Sequence, residues 1–226
     1  MKKLIVLLIA LSFPIAVSAS EDIADQYPQS ALYSKPVEVI PNVWSAIGAT
    51  APPTYENVGH NNNLSFIVTG EGVVVVNGGA AAILASALHD EIKAITDQPV
   101  IMVINENAQG HAMLGNSYWA DLGVPILAHA DAAHEVEENG DFALQGMQRY
   151  NRDKAEGTRV VGPTITFEDE YVIESGDFRI EVLHLGPAHS PGDIQVWFWP
   201  GRPCNWSPGA WRRKRCRPGW QATSAS

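Results

Sequence analysis

The sequence predicts an α/β domain of layered sheets with helices outside. Three observations lead there. Short β-branched and aromatic runs come first, helical and strand periods then alternate, and strands return before residue 198. The 226 residues are enough for one such domain with a sizeable core. No self-similarity at a solenoid period is visible.

The elements follow in order. Residues 1–19 read as a secretory signal: Lys2 and Lys3, an apolar run from Leu4 to Val17, then Val17-Ser18-Ala19 before a cut at Ser20. That run is shorter than the roughly 20 residues of a membrane-spanning helix, which predicts cleavage and export to a bacterial periplasm or beyond. Residues 20–36 read as a polar, loosely held arm, and residues 37–198 as the domain. Val37–Ile40 and Val43–Ile47 are expected strands, divided by Pro41. Asn63–Thr69 and Gly72–Asn77 read as a hairpin turned at Gly70-Glu71-Gly72. Ala80–Thr96 carries Ile83, Leu84, Ala87, Leu88, Ile92 and Ile95 at helical spacing. Pro99–Ile104 is a buried-type strand, Met113–Leu122 a short helix and Pro125–Ala128 another strand. Asp131–Lys154 is expected to be helical with a break near Asn139-Gly140. Ile165–Phe167, Tyr171–Ile173, Phe178–Leu185 and Ile194–Phe198 return to strand.

Charge divides the chain. The formal net charge is −10, which argues against a nucleic-acid partner. Residues 1–200 hold all 25 acidic and 9 of the 15 basic residues, whereas residues 201–226 hold 6 basic residues and no acidic one. Both cysteines, Cys204 and Cys216, lie in that tail, so the body offers no thiolate to a metal or a reaction. The abrupt mix of Arg, Trp, Pro, Gly and Cys after Trp199 suits no element. A shifted reading frame explains it better than a basic arm for an anionic partner or a solvated, disordered tail.

Chemistry concentrates in two stretches. Gly186-Pro187-Ala188-His189-Ser190-Pro191-Gly192-Asp193 places a histidine in a Gly/Pro-built turn between two strands, where a metal ligand can be held at a sheet edge. Asp193 is expected to fix that turn by bonding backbone amides. Asn105-Glu106-Asn107-Ala108-Gln109-Gly110-His111 follows a buried strand and is rich in amides, each both donor and acceptor. Such amides serve a polar small molecule or loop turns alike. Among other histidines, His60 precedes a strand and reads as a surface residue near the site, and His89 as exposed on its helix. His129 and His134 read as capping or solvating a helix, and His184 as facing opposite to Leu183 and Leu185.

The pattern G-x-x-H-S-x-G-D at residues 186–193 resembles a metal-binding signature of the metallo-β-lactamase superfamily. Val73–Gly79 resembles that family's strand ending in an acidic residue and glycines, with Asn77 in the acidic place. Residues 106–111, continued by Gly115-Asn116, stand where the family has H-x-H-x-D-H followed by G-N. The resemblance covers residues 37–198 and implies an αββα sandwich, incomplete at its C-terminal strand and helix as written. Exposed sheet edge then predicts poor stability or rearrangement.

The resemblance also implies a divalent metal that lowers the pKa of bound water toward about 7. Here Glu106 replaces a histidine, Ala108 supplies no ligand, and Gly110 removes a carboxylate. His111, His189 and Glu106 remain as a set for one metal, zinc first, with Glu106 either a ligand or a general base. Asn77, Asn107, Gln109, Asp193 and His60 are the expected substrate-contacting or supporting residues. The resulting expectation is an exported hydrolase-like protein with a degraded single-metal site acting on an ester- or amide-type bond of a small molecule. The alternatives are a non-catalytic small-molecule-binding protein of the same fold and an inactive product of a frameshifted gene.

Overall fold

The computed structural model describes residues 26–200. The expected signal, the first residues of the arm and the basic tail lie outside them.

Seven strands form the larger sheet in sequence order: β1 (Val37–Ile40), β2 (Val43–Ala46), β3 (Leu64–Val68), β4 (Val73–Val76), β5 (Val100–Ile104), β6 (Ile126–His129) and β7 (Ile165–Phe167). The first four run antiparallel, and β4 through β7 run parallel. Parallel neighbours need crossovers. These are α1 (Ala82–Ile95), the short pair α2 (Gly110–Met113) and α3 (Asn116–Asp121), and α4 (Ala130–Asn151). A second sheet has the order β10-β9-β8, from β8 (Glu170–Ser175), β9 (Phe178–Leu183) and β10 (Gln195–Pro200).

Two cores follow from strand alternation. Val73 and Val75 join Leu84, Leu88, Ile92, Trp119 and Met147 in a core that includes the helices. Val74, Ile104 and Leu127 instead meet Ile173, Ile180 and Val182 of the second sheet. A strand buried on both faces has no polar side to show, hence the unbroken valine run at 73–76. Among the described residues, no helix is long and apolar enough to cross a membrane.

Several expectations change. The helix expected over 113–122 is two pieces, because Gly115 presses against the chain at Gly78. α4 runs unbroken through Asn139-Gly140, and the glycine there serves packing instead: a Cβ at 140 would stand 2.6 Å from Val160 Cγ1. The arm is held: Leu32 and Tyr33 are buried, and Tyr27 Oη donates to Glu91 at 2.7 Å. His60 is not on the surface. It is fully buried, accepts from Tyr33 N at Nδ1 (2.9 Å), and pairs at Nε2 with Ala46 O (3.3 Å). Neither ring nitrogen is left for a substrate. His89 is half-buried, bonded to Tyr118 Oη at 2.9 Å.

Candidate functional site

The parallel strands β4, β5 and β6 end side by side, and the carboxyl edge of such strands is where open α/β sheets gather ligand-binding loops. Here that edge is braced by direct backbone contact and by buried side-chain amides. Gly78 N donates to Ala112 O (2.7 Å) and Gly115 N to Gly79 O (2.7 Å). A Cβ on Gly115 would stand 2.0 Å from Gly78 O, so only glycine permits the approach. Buried Asn105 and Asn116 bond each other through both amides (2.8 and 3.1 Å), and Asn116 also donates to Val161 O. The four polar atoms of these two buried side-chain amides are thereby paired without water.

One cluster lies just beyond β5. Asn77 adopts a left-handed φ of 71°, which asparagine tolerates better than most residues. Its Oδ1 accepts from Glu106 N at 3.1 Å, and its amide nitrogen reaches Asn63 O at 3.4 Å. The loop after His60 thus touches the cluster through Asn63. Glu106 Oε1 stands 3.6 Å from His111 Nε2 in the first turn of α2. Burial alone would raise the Glu106 pKa, but the neighbouring His111 imidazole and Asn77 amide together hold it below the ordinary carboxylate value. Glu106 is therefore an ionised partner for the imidazole rather than a strong base. Asn107 Oδ1 accepts from Gln109 N at 3.0 Å, so this amide shapes the loop entering α2.

The turn at 186–193 is built around Asp193. Its carboxylate accepts from His189 N, from Ser190 N (2.9 Å) and from Ser190 Oγ (2.8 Å). Burial opposes ionisation, but these bonds and one from Asn107 outweigh it, leaving the Asp193 pKa lowered. The His189 side chain is exposed. The geometry brings Glu106 and His111 together and does not gather His189 with them into a three-ligand group.

A second cluster escaped sequence reasoning. His129 ends β6 and caps α4, its Nδ1 accepting from Asp131 N at 3.1 Å. His184 lies one residue past β9, and its ring stacks on that of His129 with centroids 3.8 Å apart and planes 20° apart. Asp131 Oδ2 is 3.7 Å from His129 Nδ1. Among the described residues, His129, Asp131 and His184 are the group of three whose possible ligand atoms lie within 4.8 Å of one another. The available signals were a histidine ending one strand, a histidine just past the end of another, and an aspartate two residues after the first. Only packing of the two sheets pairs them.

The same peptide group serves both clusters. Asp193 O accepts from His184 Nδ1 at 3.0 Å, and Ile194 N, across that peptide bond, donates to Glu106 O at 3.0 Å.

The metal implied by the resemblance does not fit its usual place in this chain. Ala108 and Gly110 present no ligand atom, and Glu106 and His111 stand together without His189. Two protein ligands fall short of the three that a catalytic zinc ordinarily has.

No protein-family model matches the chain. Among solved structures it is similar to a metallo-β-lactamase from Pontibacter korlensis, at 19% identity and a TM-score of 0.54, over 72% of this chain and 65% of that one. It is likewise similar to the DIM-1 metallo-β-lactamase, at 14% identity and a TM-score of 0.53, over 72% of this chain and 64% of that one. A third is a HARLDQ-motif mutant of a metallo-β-lactamase from Cronobacter sakazakii, at 19% identity and a TM-score of 0.53, over 73% of this chain and 57% of that one. The chain thus spans less than two thirds of the length of each of these proteins. At such identities the likeness is one of architecture, and it agrees with the layered sheets and the loop-bearing edge described above: this chain has the metallo-β-lactamase fold.

Proposed function

We propose that the protein is an exported, hydrolase-like member of this fold, acting at the Glu106–His111 corner on an ester- or amide-type bond of a small polar molecule. The observation that carries the reading is the 3.6 Å approach of an ionised, half-buried carboxylate to an imidazole at the loop-bearing edge. In this reading His111 takes the proton from an attacking water. Glu106 orients the ring and stabilises its charged form, as a buried carboxylate does for a catalytic histidine. Asn77 holds Glu106 at its backbone N–H. No step passes through a metal at this corner.

A panel of nitrophenyl esters, thioesters and activated amides tests this on the purified chain. Turnover that His111→Ala abolishes and Glu106→Gln weakens is the expected result. The absence of Ala108 and Gly110 from any ligand role favours a second reading, a binding protein without turnover. Saturable binding of such compounds without hydrolysis, unchanged by His111→Ala, would establish that reading instead.

A further inference from the structure

We propose that His129, Asp131 and His184 form a divalent-metal site for a zinc-class ion, separate from the positions the family resemblance assigned to metal. The warrant is the way both rings are oriented. His129 Nε2 faces Glu168 O at 2.7 Å, and His184 Nδ1 faces Asp193 O at 3.0 Å. A carbonyl oxygen only accepts, so each ring carries its proton on the nitrogen facing the backbone. The opposite nitrogen of each ring, Nδ1 of His129 and Nε2 of His184, is therefore the one that can offer a lone pair to an ion, that of His129 being engaged by the Asp131 N–H until an ion takes it. Metal-binding histidines are typically fixed in this way, by a backbone carbonyl behind the ring.

The remaining geometry agrees. Asp131 Oδ2 lies 3.7 Å from His129 Nδ1, and one ligand atom from each of the three residues falls within a 4.8 Å group. His129 is 3% exposed and packs edge-on against Phe167 at 5.7 Å, so one ligand is rigid and apolar-walled. The Asp131 side chain is 57% exposed and free to close over an ion. Two imidazoles and one carboxylate suit zinc, and also cobalt or ferrous iron. Binding has two costs: the stacked rings must turn so that both lone pairs meet one ion, and the Asp131 N–H gives up His129 Nδ1.

This site does not rest on the hydrolase reading, and its test is independent of turnover. The full chain, stripped with chelator, is titrated with Co²⁺ and then Zn²⁺, following the cobalt visible absorption and the metal retained per chain. One ion per chain is expected, with affinity lowered by about a hundredfold or more in His184→Gln and by at least about tenfold in Asp131→Asn. Asp131→Asn keeps the backbone N–H that His129 Nδ1 caps, so it remains a fair test if His129 variants fail to fold. Glu106→Gln and His111→Gln are expected to bind as the parent does. No metal retained by a folded sample, or metal lost in Glu106→Gln and kept in His184→Gln, overturns the proposal.

Discussion

Two clusters share one edge of the sandwich, and they are built differently. At the end of β5, Glu106 and His111 sit where the sequence resembles a metal-binding motif, yet the neighbouring positions are alanine and glycine. At the end of β6, His129 and Asp131 meet His184 from the other sheet, in a place no motif marks. The first cluster pairs a carboxylate with an imidazole. The second pairs two imidazoles, each held from behind by a carbonyl. One peptide group, Asp193–Ile194, braces both. The contrast teaches that a motif identifies an edge, whereas the ligand atoms available there depend on which side chains the two sheets bring face to face.

The largest expected effect separates the clusters by chemistry. His111→Ala should lower kcat by about 10²–10⁴ on any substrate found, the usual contribution of a positioned acid–base group. His184→Gln should lose metal first. If both substitutions act equally on turnover and on metal content, the clusters are one site and the distinction fails.

A second test separates acid loss of the fold from loss of either cluster. Burial pushes the pKa of His60 down to about 4, although its bond to Ala46 O acts the other way. The folded state keeps this ring neutral, whereas the unfolded chain protonates it near 6.5. Stability from this group is thus complete above about pH 6.5 and declines as pH falls toward 4, by about 3 kcal/mol in all. Denaturant midpoints measured across that range should fall. In a folded His60→Gln variant the slope should flatten, and an unchanged slope would assign the acid sensitivity elsewhere.

Asn116→Ala sharpens the shared frame. It leaves the buried Asn105 amide half-paired and should cost about 2 kcal/mol, read as a lower melting temperature with both clusters affected together. Asp131→Ala should be the mildest. Without metal it removes only a first-turn charge from α4, worth about 0.5–1 kcal/mol. With zinc present the parent should gain melting temperature and this variant should gain less, because an ion that binds only the folded state stabilises it.

The legibility of the chain follows the same division. β3, β4, β5 and α1 were readable because each carries its own period, and the hairpin turn at 70–72 carries its own glycines. The split between α2 and α3 was not, because it depends on Gly115 meeting Gly78 across the fold. Nor was the pinned arm, since His60 reveals its role only when Tyr33 reaches it. The turn at 186–193 was recognisable as a place, and Asp193 holds it by bonds within a few residues. His129 and His184 looked like a cap and an outward strand residue. His129 is indeed a cap, but its stacking partner comes from another sheet, which local pattern cannot supply.

The most direct measurement is the position of zinc in a crystal of the full chain grown with one equivalent of the metal, from anomalous scattering at the zinc edge. A single strong peak bounded by His129 Nδ1, His184 Nε2 and Asp131 is expected. A peak between Glu106 and His111, with the His129–His184 stack intact, would contradict this and return the metal to the place the motif suggests.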